Sequence, residues 1–151
     1  MLRDSADCQA DVDRFVQRVS QTELVWYLAS QAKTASCDSH AENEVGEPLT
    51  VLLFFSDEAY ARRCHKVHFE DHEICSISLF DFLFRWLPGM SGDGVLAGPN
   101  WNQDLVGLEL DPFELRETIE AALSPEQALA HATRYRQITQ SDGREPELTP
   151  P

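Results

Sequence analysis

The chain has 151 residues, 42% of them hydrophobic and 25% charged, and its 12 Lys+Arg against 26 Asp+Glu give a formal net charge of -14. That length and composition suit one globular domain with an apolar core of its own. The charge excludes polyanionic partners, because nucleic acid and anionic membranes are held by Lys and Arg that displace counterions.

The opening segment Met-Leu-Arg-Asp-Ser-Ala-Asp carries acids where a secretory leader needs a cationic start and an apolar run. Nothing further along reaches the roughly 18 apolar residues of a membrane span. A cytoplasmic location is therefore expected, and with it free thiols. Cys8, Cys37, Cys64 and Cys75 lie far apart with no CxxC pair. Cys37 sits in a polar stretch and is the thiol expected to be most reactive.

Cys8, Val12, Phe15, Val16 and Val19 recur at helical spacing, with Asp11, Asp13, Gln17 and Arg18 on the other side, which predicts a first helix. Leu24-Val25-Trp26-Tyr27-Leu28-Ala29 is short, β-branched and aromatic, and reads as a strand. Residues 33–48 turn polar and end Gly-Glu-Pro, predicting a loop or an elaborated hairpin connection. The continuous apolar run over 49–55 predicts a central strand covered on both faces.

Ser56 or Asp57 then caps a helix to about Val67, and Ile74 to Leu79 alternates as a half-buried strand. Ser78-Leu79-Phe80-Asp81 has the spacing of a capping box and opens an apolar helix that Pro88-Gly89 should stop. Val95-Leu96-Ala97 and the run over 105–110 predict a hairpin joined through Trp101. Asp111-Pro112-Phe113-Glu114 and Ser124-Pro125-Glu126-Gln127 are two helix starts, the first burying Leu115, Ile119, Ala122 and Leu123 and the second Ala128, Leu129, Ala132 and Tyr135. The expected architecture is a single α+β domain over 1–140, a mixed and mainly antiparallel sheet of about four or five strands with helices packed on it. A polar, Pro-rich tail over 141–151 is expected to be disordered.

Cys64, His65, His68, His72 and Cys75 place five potential metal ligands in a short stretch. Their spacing is unlike that of usual sites, since they fall on a helix, a connection and a strand. His65, His68, His72 and Cys75 are nonetheless the candidate ligands, and Cys64–His65 or Cys75–His72 the candidate nucleophile pairs. Gly92-Asp93-Gly94-Val95-Leu96-Ala97 matches a dinucleotide pattern only formally, because here it follows a helix and opens a strand. No phosphate loop and no nucleophile elbow is present. Asp111, Glu114, Glu117 and Glu120 are better explained by helix capping and the dipole than by acid–base chemistry. Trp26 and Trp86 fit the core pattern, whereas Trp101 stands among Asn100, Asn102 and Gln103, where an exposed binding anchor competes with a ring tucked over the sheet edge.

Val25-Trp26-Tyr27-Leu28, Pro48-Leu49 with Ser56 and Tyr60-Ala61, then Ile77-Ser78-Leu79-x-x-Phe82-Leu83-x-x-Trp86-Leu87-Pro88-Gly89 and Asp93-Gly94 together resemble the bacterial domain-of-unknown-function family 2750. The resemblance runs from about Phe15 to Leu123. Phe55 stands where the family has a Trp, and residues 33–47 replace a short hairpin. The family has no established activity, so the resemblance implies no catalytic, cofactor or ligand residues.

The favoured expectation is a non-enzymatic protein-binding or regulatory module without a cofactor. Its acidic surface would hold a protein partner, a basic one being the electrostatic complement, through Trp101, Asp104, Asp111 and Glu114. The alternative is a small metal- or thiol-dependent enzyme built on the cluster at 64–75. Monomer and homodimer both stay open.

Overall fold

The computed structural model describes residues 5–31 and 33–142. Helix α1 (Ser5–Thr22) buries the apolar face expected of it and adds Asp11, whose carboxylate meets Arg14 at 3.2 Å. Its last turn hands over at Glu23, which takes a left-handed φ of 57° and starts β1 (Leu24–Ser30).

Strand β1 pairs antiparallel with the short β2 (Lys33–Thr34) and with β5 (Glu73–Ser78), setting Val25 opposite Ile77 and Tyr27 opposite Cys75. In the second sheet β4 (Pro48–Phe54) runs antiparallel to β3 (Ser36–Glu42) and parallel to β6 (Leu96–Pro99). The fold is thus α+β and mainly antiparallel, but its strands divide into two three-stranded sheets rather than one sheet of four or five. The sheets are stitched by reciprocal backbone hydrogen bonds of 2.8 Å between Trp26 and Phe55. Ala35 lies between them, donating to Leu28 and accepting from Leu53.

The polar stretch from residue 33 resolves as a hairpin arm rather than a loop. It can be both polar and extended because β3 is an edge strand with most of its residues exposed. Alternation along β4 divides the interior. Phe54 faces a cluster with Phe15, Phe82, Trp86, Leu115 and Ile119, while Val51, Leu53 and Phe55 join Leu28, Ala61, Cys64 and Trp101 beneath α2 (Glu58–Val67). Phe54 meets Phe82 edge-on with ring centroids 4.8 Å apart, a geometry worth about 0.5–1.5 kcal/mol beyond area burial.

The apolar helix after β5 departs from the expected continuous rod. It comprises α3 (Leu79–Asp81), a π-helical turn (Phe82–Trp86) and α4 (Leu87–Gly92), with the Leu87 N–H donating to the Phe82 carbonyl. Ser78 caps it by accepting from the Asp81 N–H at 3.1 Å. Pro88 does not stop the run. The wide turn resets the register just before it, so Pro88 enters at the start of a fresh α segment, where its missing donor is harmless. The chain leaves at Asp93-Gly94 instead, with Gly94 at a φ of 70° that suits glycine.

After β6 the hairpin expected over 105–110 does not form. Leu105 has a φ of 59°, and Leu110 alone bridges back to Ala97. Asp111 caps α5 (Pro112–Ala122) by accepting from Phe113 N–H at 2.9 Å and Glu114 N–H at 3.3 Å. Leu115 and Ile119 are buried as expected, but Ala122 is exposed. Ser124 and Gln127 form a reciprocal capping box at the start of α6 (Pro125–Asp142). Helix α6 continues through Asp142, and the rest of the expected tail, 143–151, lies outside the described residues. No helix of the described residues is long and apolar enough to cross a membrane.

Candidate functional site

Trp101 is no surface anchor. It is 6% exposed, its Nε1–H donates to the Leu108 carbonyl at 2.8 Å, and its ring lies over Gly98 and Gly107. A Cβ on Gly107 would stand 2.2 Å from the indole Cδ1, so the glycine is what lets the segment fold back over the ring. That fold-back also explains the missing hairpin, since the indole occupies the space a regular ladder would need. Of the acidic residues grouped with it, Asp104 and Glu114 are exposed on a loop and on the first turn of α5, and the Asp111 carboxylate is engaged as a helix cap.

The histidine–cysteine cluster does not converge on a metal. His65 Nε2 is 2.8 Å from the His72 carbonyl, and His68 Nε2 is 2.5 Å from the Gln103 carbonyl, so each bonds to backbone. His72 Nδ1 bonds to Asp71 at 2.9 Å, and that hydrogen bond holds the Asp71 carboxyl below its ordinary range. The Cys75 thiol is directed to the Glu73 carbonyl at 3.7 Å. Among the described residues no three His, Cys, Asp or Glu side chains gather as a ligand set. Helix α2, the turn after it and β5 aim these groups at different partners, which sequence proximity could not reveal.

Cys64 and Cys37 are not activated thiols. Cys64 is buried, lies 3.4 Å from the Asn102 carbonyl, and is pushed up to about 11 mainly by burial. Cys37, expected to be exposed and reactive, is half-buried, and burial followed by the neighbouring Asp38 charge raises it too. Tyr27 is likewise raised, by burial and then by Cys75. A nucleophile needs the opposite shift.

Where β6 ends beside the parallel β4, a compact polar network forms that sequence reading did not single out. Asn100 is buried with a φ of 53°; its Oδ1 accepts from the Ser56 N–H at 2.8 Å and its Nδ2 donates to Ser56 Oγ at 2.9 Å. Every bond in it ties one chain segment to another, so it locks the core crossing.

A more open concavity lies elsewhere. A groove of about 630 Å³ is walled by Leu83 and Phe84 of the π-turn, Arg116 and Glu120 of α5, Leu123, and Ala128, His131, Ala132, Tyr135 and Arg136 of α6. That volume falls within the usual range of about 300–1,000 Å³ for ligand sites. The π-turn supplies Leu83 and Phe84 to its floor, while Phe82 and Trp86 turn into the core. Phe80 and Phe84 meet at a tilt with centroids 4.8 Å apart, and Tyr135 stacks on Phe84 at 5.0 Å. Arg116 lies 4.7 Å over the Phe84 ring and Arg134 4.2 Å over the Phe80 ring. Guanidinium on an aromatic face is attractive, and Arg116 Nε also donates to Glu120 Oε1 at 2.6 Å.

His131 anchors this wall. Among the described residues of α6 it is the buried one, where spacing predicts a face of Ala128, Leu129, Ala132 and Tyr135; Tyr135 is half-buried and Leu129 is 63% exposed. Its Nε2–H donates to Glu23 at 2.6 Å, and its ring meets Phe80 and Phe84 edge-on. Nδ1 is buried with no hydrogen-bond partner among the described residues. Gln127 Nε2 adds a bond to the Ser20 carbonyl at 2.7 Å. Helix α6 is therefore attached by polar and aromatic contacts rather than by an apolar seam. The sequence signal for this was a histidine and a glutamine at i, i+4 on a helix with little apolar periodicity.

Fold and groove define a small acidic α+β protein with an aromatic concavity beside a π-helical turn. The chain matches the family described as protein of unknown function, DUF2750, over residues 12–119, and it belongs to that family. The match takes in the π-turn and ends within α5, so α6 lies beyond it. No curated protein and no solved structure matches the chain.

Proposed function

We propose that the protein is a non-enzymatic protein-binding module whose contact face is the groove between the π-turn, α5 and α6. One observation carries this reading: the groove combines stacked aromatic rings, half-buried apolar walls and guanidinium groups, the mixture that dominates binding hot spots. Elsewhere burial raises the Cys37 and Cys64 thiols, and His65 and His68 are bonded to backbone carbonyls.

The segment such a groove fits has apolar or proline-like surface flanked by acids. That differs from the basic partner to which net charge alone points. On this reading Asp104, Asp111 and Glu114 supply long-range charge that steers encounter rather than contacts that hold it.

The test is quantitative capture from the source cells with three immobilised forms: wild type, Tyr135→Ala/Arg136→Glu, and Asp104→Asn/Glu114→Gln. A partner retained by wild type and the acidic-face variant, but reduced at least about tenfold by the groove variant, supports the proposal. Loss confined to the acidic-face variant contradicts it.

A further inference from the structure

We infer that the cavity between α1, α2 and the segment after β6 is a second binding site, one that takes a phosphoryl group. The cavity, of about 60 Å³, is walled by Asp11 and Arg14 of α1, Tyr60 and Arg63 of α2, and residues 100–103. It shares no residue with the groove and is independent of it. Its size selects a small guest. A single water needs about 10–15 Å³, and a whole organic ligand fills about 300–1,000 Å³. A polyatomic ion, or the terminal group of a larger molecule, lies between.

Charge and donors select the chemistry. The Asp11 carboxylate is met by Arg14 at 3.2 Å, which leaves Arg63 to set the sign of the lining. Among the described residues Arg63 meets no carboxylate, and its guanidinium lies 5.5 Å over the Tyr60 ring on the exposed side of α2. Asn102 adds oriented donors. Its Oδ1 accepts from the Asp104 and Val106 N–H groups at 3.0 Å each, which fixes the amide and leaves Nδ2 unused by the loop. The Tyr60 hydroxyl and the Gln103 side-chain amide also have no hydrogen-bond partner among the described residues. Donors brought from a helix and a loop around one small cavity suit the several oxygens of a phosphoryl group.

The loop wall is built in advance. Cys64 Sγ lies 3.4 Å from the Asn102 carbonyl, His68 Nε2 lies 2.5 Å from the Gln103 carbonyl, and the Leu105 N–H donates to the Asn102 carbonyl at 2.9 Å. Leu105 takes its φ of 59° to close this turn, a conformation uncommon for a branched aliphatic residue and held only where the surroundings enforce it. A loop fixed this firmly keeps its donors in place before the ligand arrives, which lowers the cost of binding.

The test follows the Asn102 side-chain amide and Trp101 indole N–H resonances of the full chain at constant pH as sodium phosphate is added, against sodium chloride at matched ionic strength. Saturable shifts are expected, with affinity reduced at least about tenfold by Arg63→Gln and unchanged by Arg62→Gln. Arg62 is the neighbouring cation, paired with Glu58 at 2.6 Å and outside the lining. Gln at either exposed helix position preserves the fold. Shifts that chloride reproduces, that fail to saturate, or that persist undiminished in Arg63→Gln would overturn the inference. Acetate binding as tightly as phosphate would also overturn it, by making the site one for carboxylates. A parallel titration with O-phosphoserine separates the two sources of the group. Binding tighter than that of phosphate makes it the end of a larger molecule, weaker binding makes the free ion the ligand, and either order supports the site.

Discussion

At the scale of single residues, the protein uses glycine to seat a tryptophan and asparagine to close a buried crossing. The Trp101 ring is pinned by its bond to Leu108 and by Gly98 beneath it, so it cannot yield to a new methyl group on Gly107. Gly107→Ala should therefore destabilise by about 1–3 kcal/mol, the usual cost of overpacking. Gly92→Ala, with nothing within 4 Å of the new atom, should be neutral or mildly stabilising. Urea midpoints of the two variants measure the contrast. Cys64 gives a pH signature. Its folded-state value is raised from 9.0 to about 11, so the folded chain holds that proton more tightly than the unfolded one. The stabilisation is complete below about pH 9 and is lost as pH climbs toward 11. Stability measured across that window should fall less steeply in Cys64→Ala than in wild type, and an unchanged slope would show that the thiol titrates alike in the folded and unfolded chain.

At the scale of elements, α6 is the piece with the least anchorage. Its hold on the body comes from His131 on Glu23, Gln127 on Ser20 and Tyr135 on Phe84. Tyr135→Ala removes a stacking term of about 0.5–1.5 kcal/mol, so amide exchange across α6 should quicken by up to about tenfold while β4 and α1 keep their protection. Uniform loss of protection would mean that α6 is welded into the global fold. Elements like α1, β1, β4 and α5 were legible because their periodicity and caps agree with where they are buried. Those that were not legible depend on distant neighbours. Segment 105–110 alternates like a strand, but the Trp101 indole takes its place. The π-turn lies in a run apolar on nearly every side, where periodicity cannot tell one helical register from another. His131 was overlooked because a lone polar residue on a helix carries no periodic signal, although it proves to be the buried one. The histidines near α2 were visible as a group, yet only tertiary structure assigns each to its carbonyl.

At the scale of the whole molecule, the net charge of -14 governs what approaches, and a local exception governs what stays. Arg116, Arg134 and Arg136 cluster on and beside one groove of a chain that has only 12 basic Lys and Arg side chains in all. Family membership covers the floor of that groove at the π-turn, while α6 adds the second wall. The shared face and the added helix together make the concavity, so the specificity of this chain should reside in α6. Photo-crosslinking in the source cells tests the central claim most directly, with a benzophenone side chain placed at Ala132 in the groove or at Asp104 on the acidic loop. The account predicts a discrete protein adduct from Ala132, lost on Arg136→Glu, and none from Asp104. An adduct from Asp104 with none from Ala132 would contradict it.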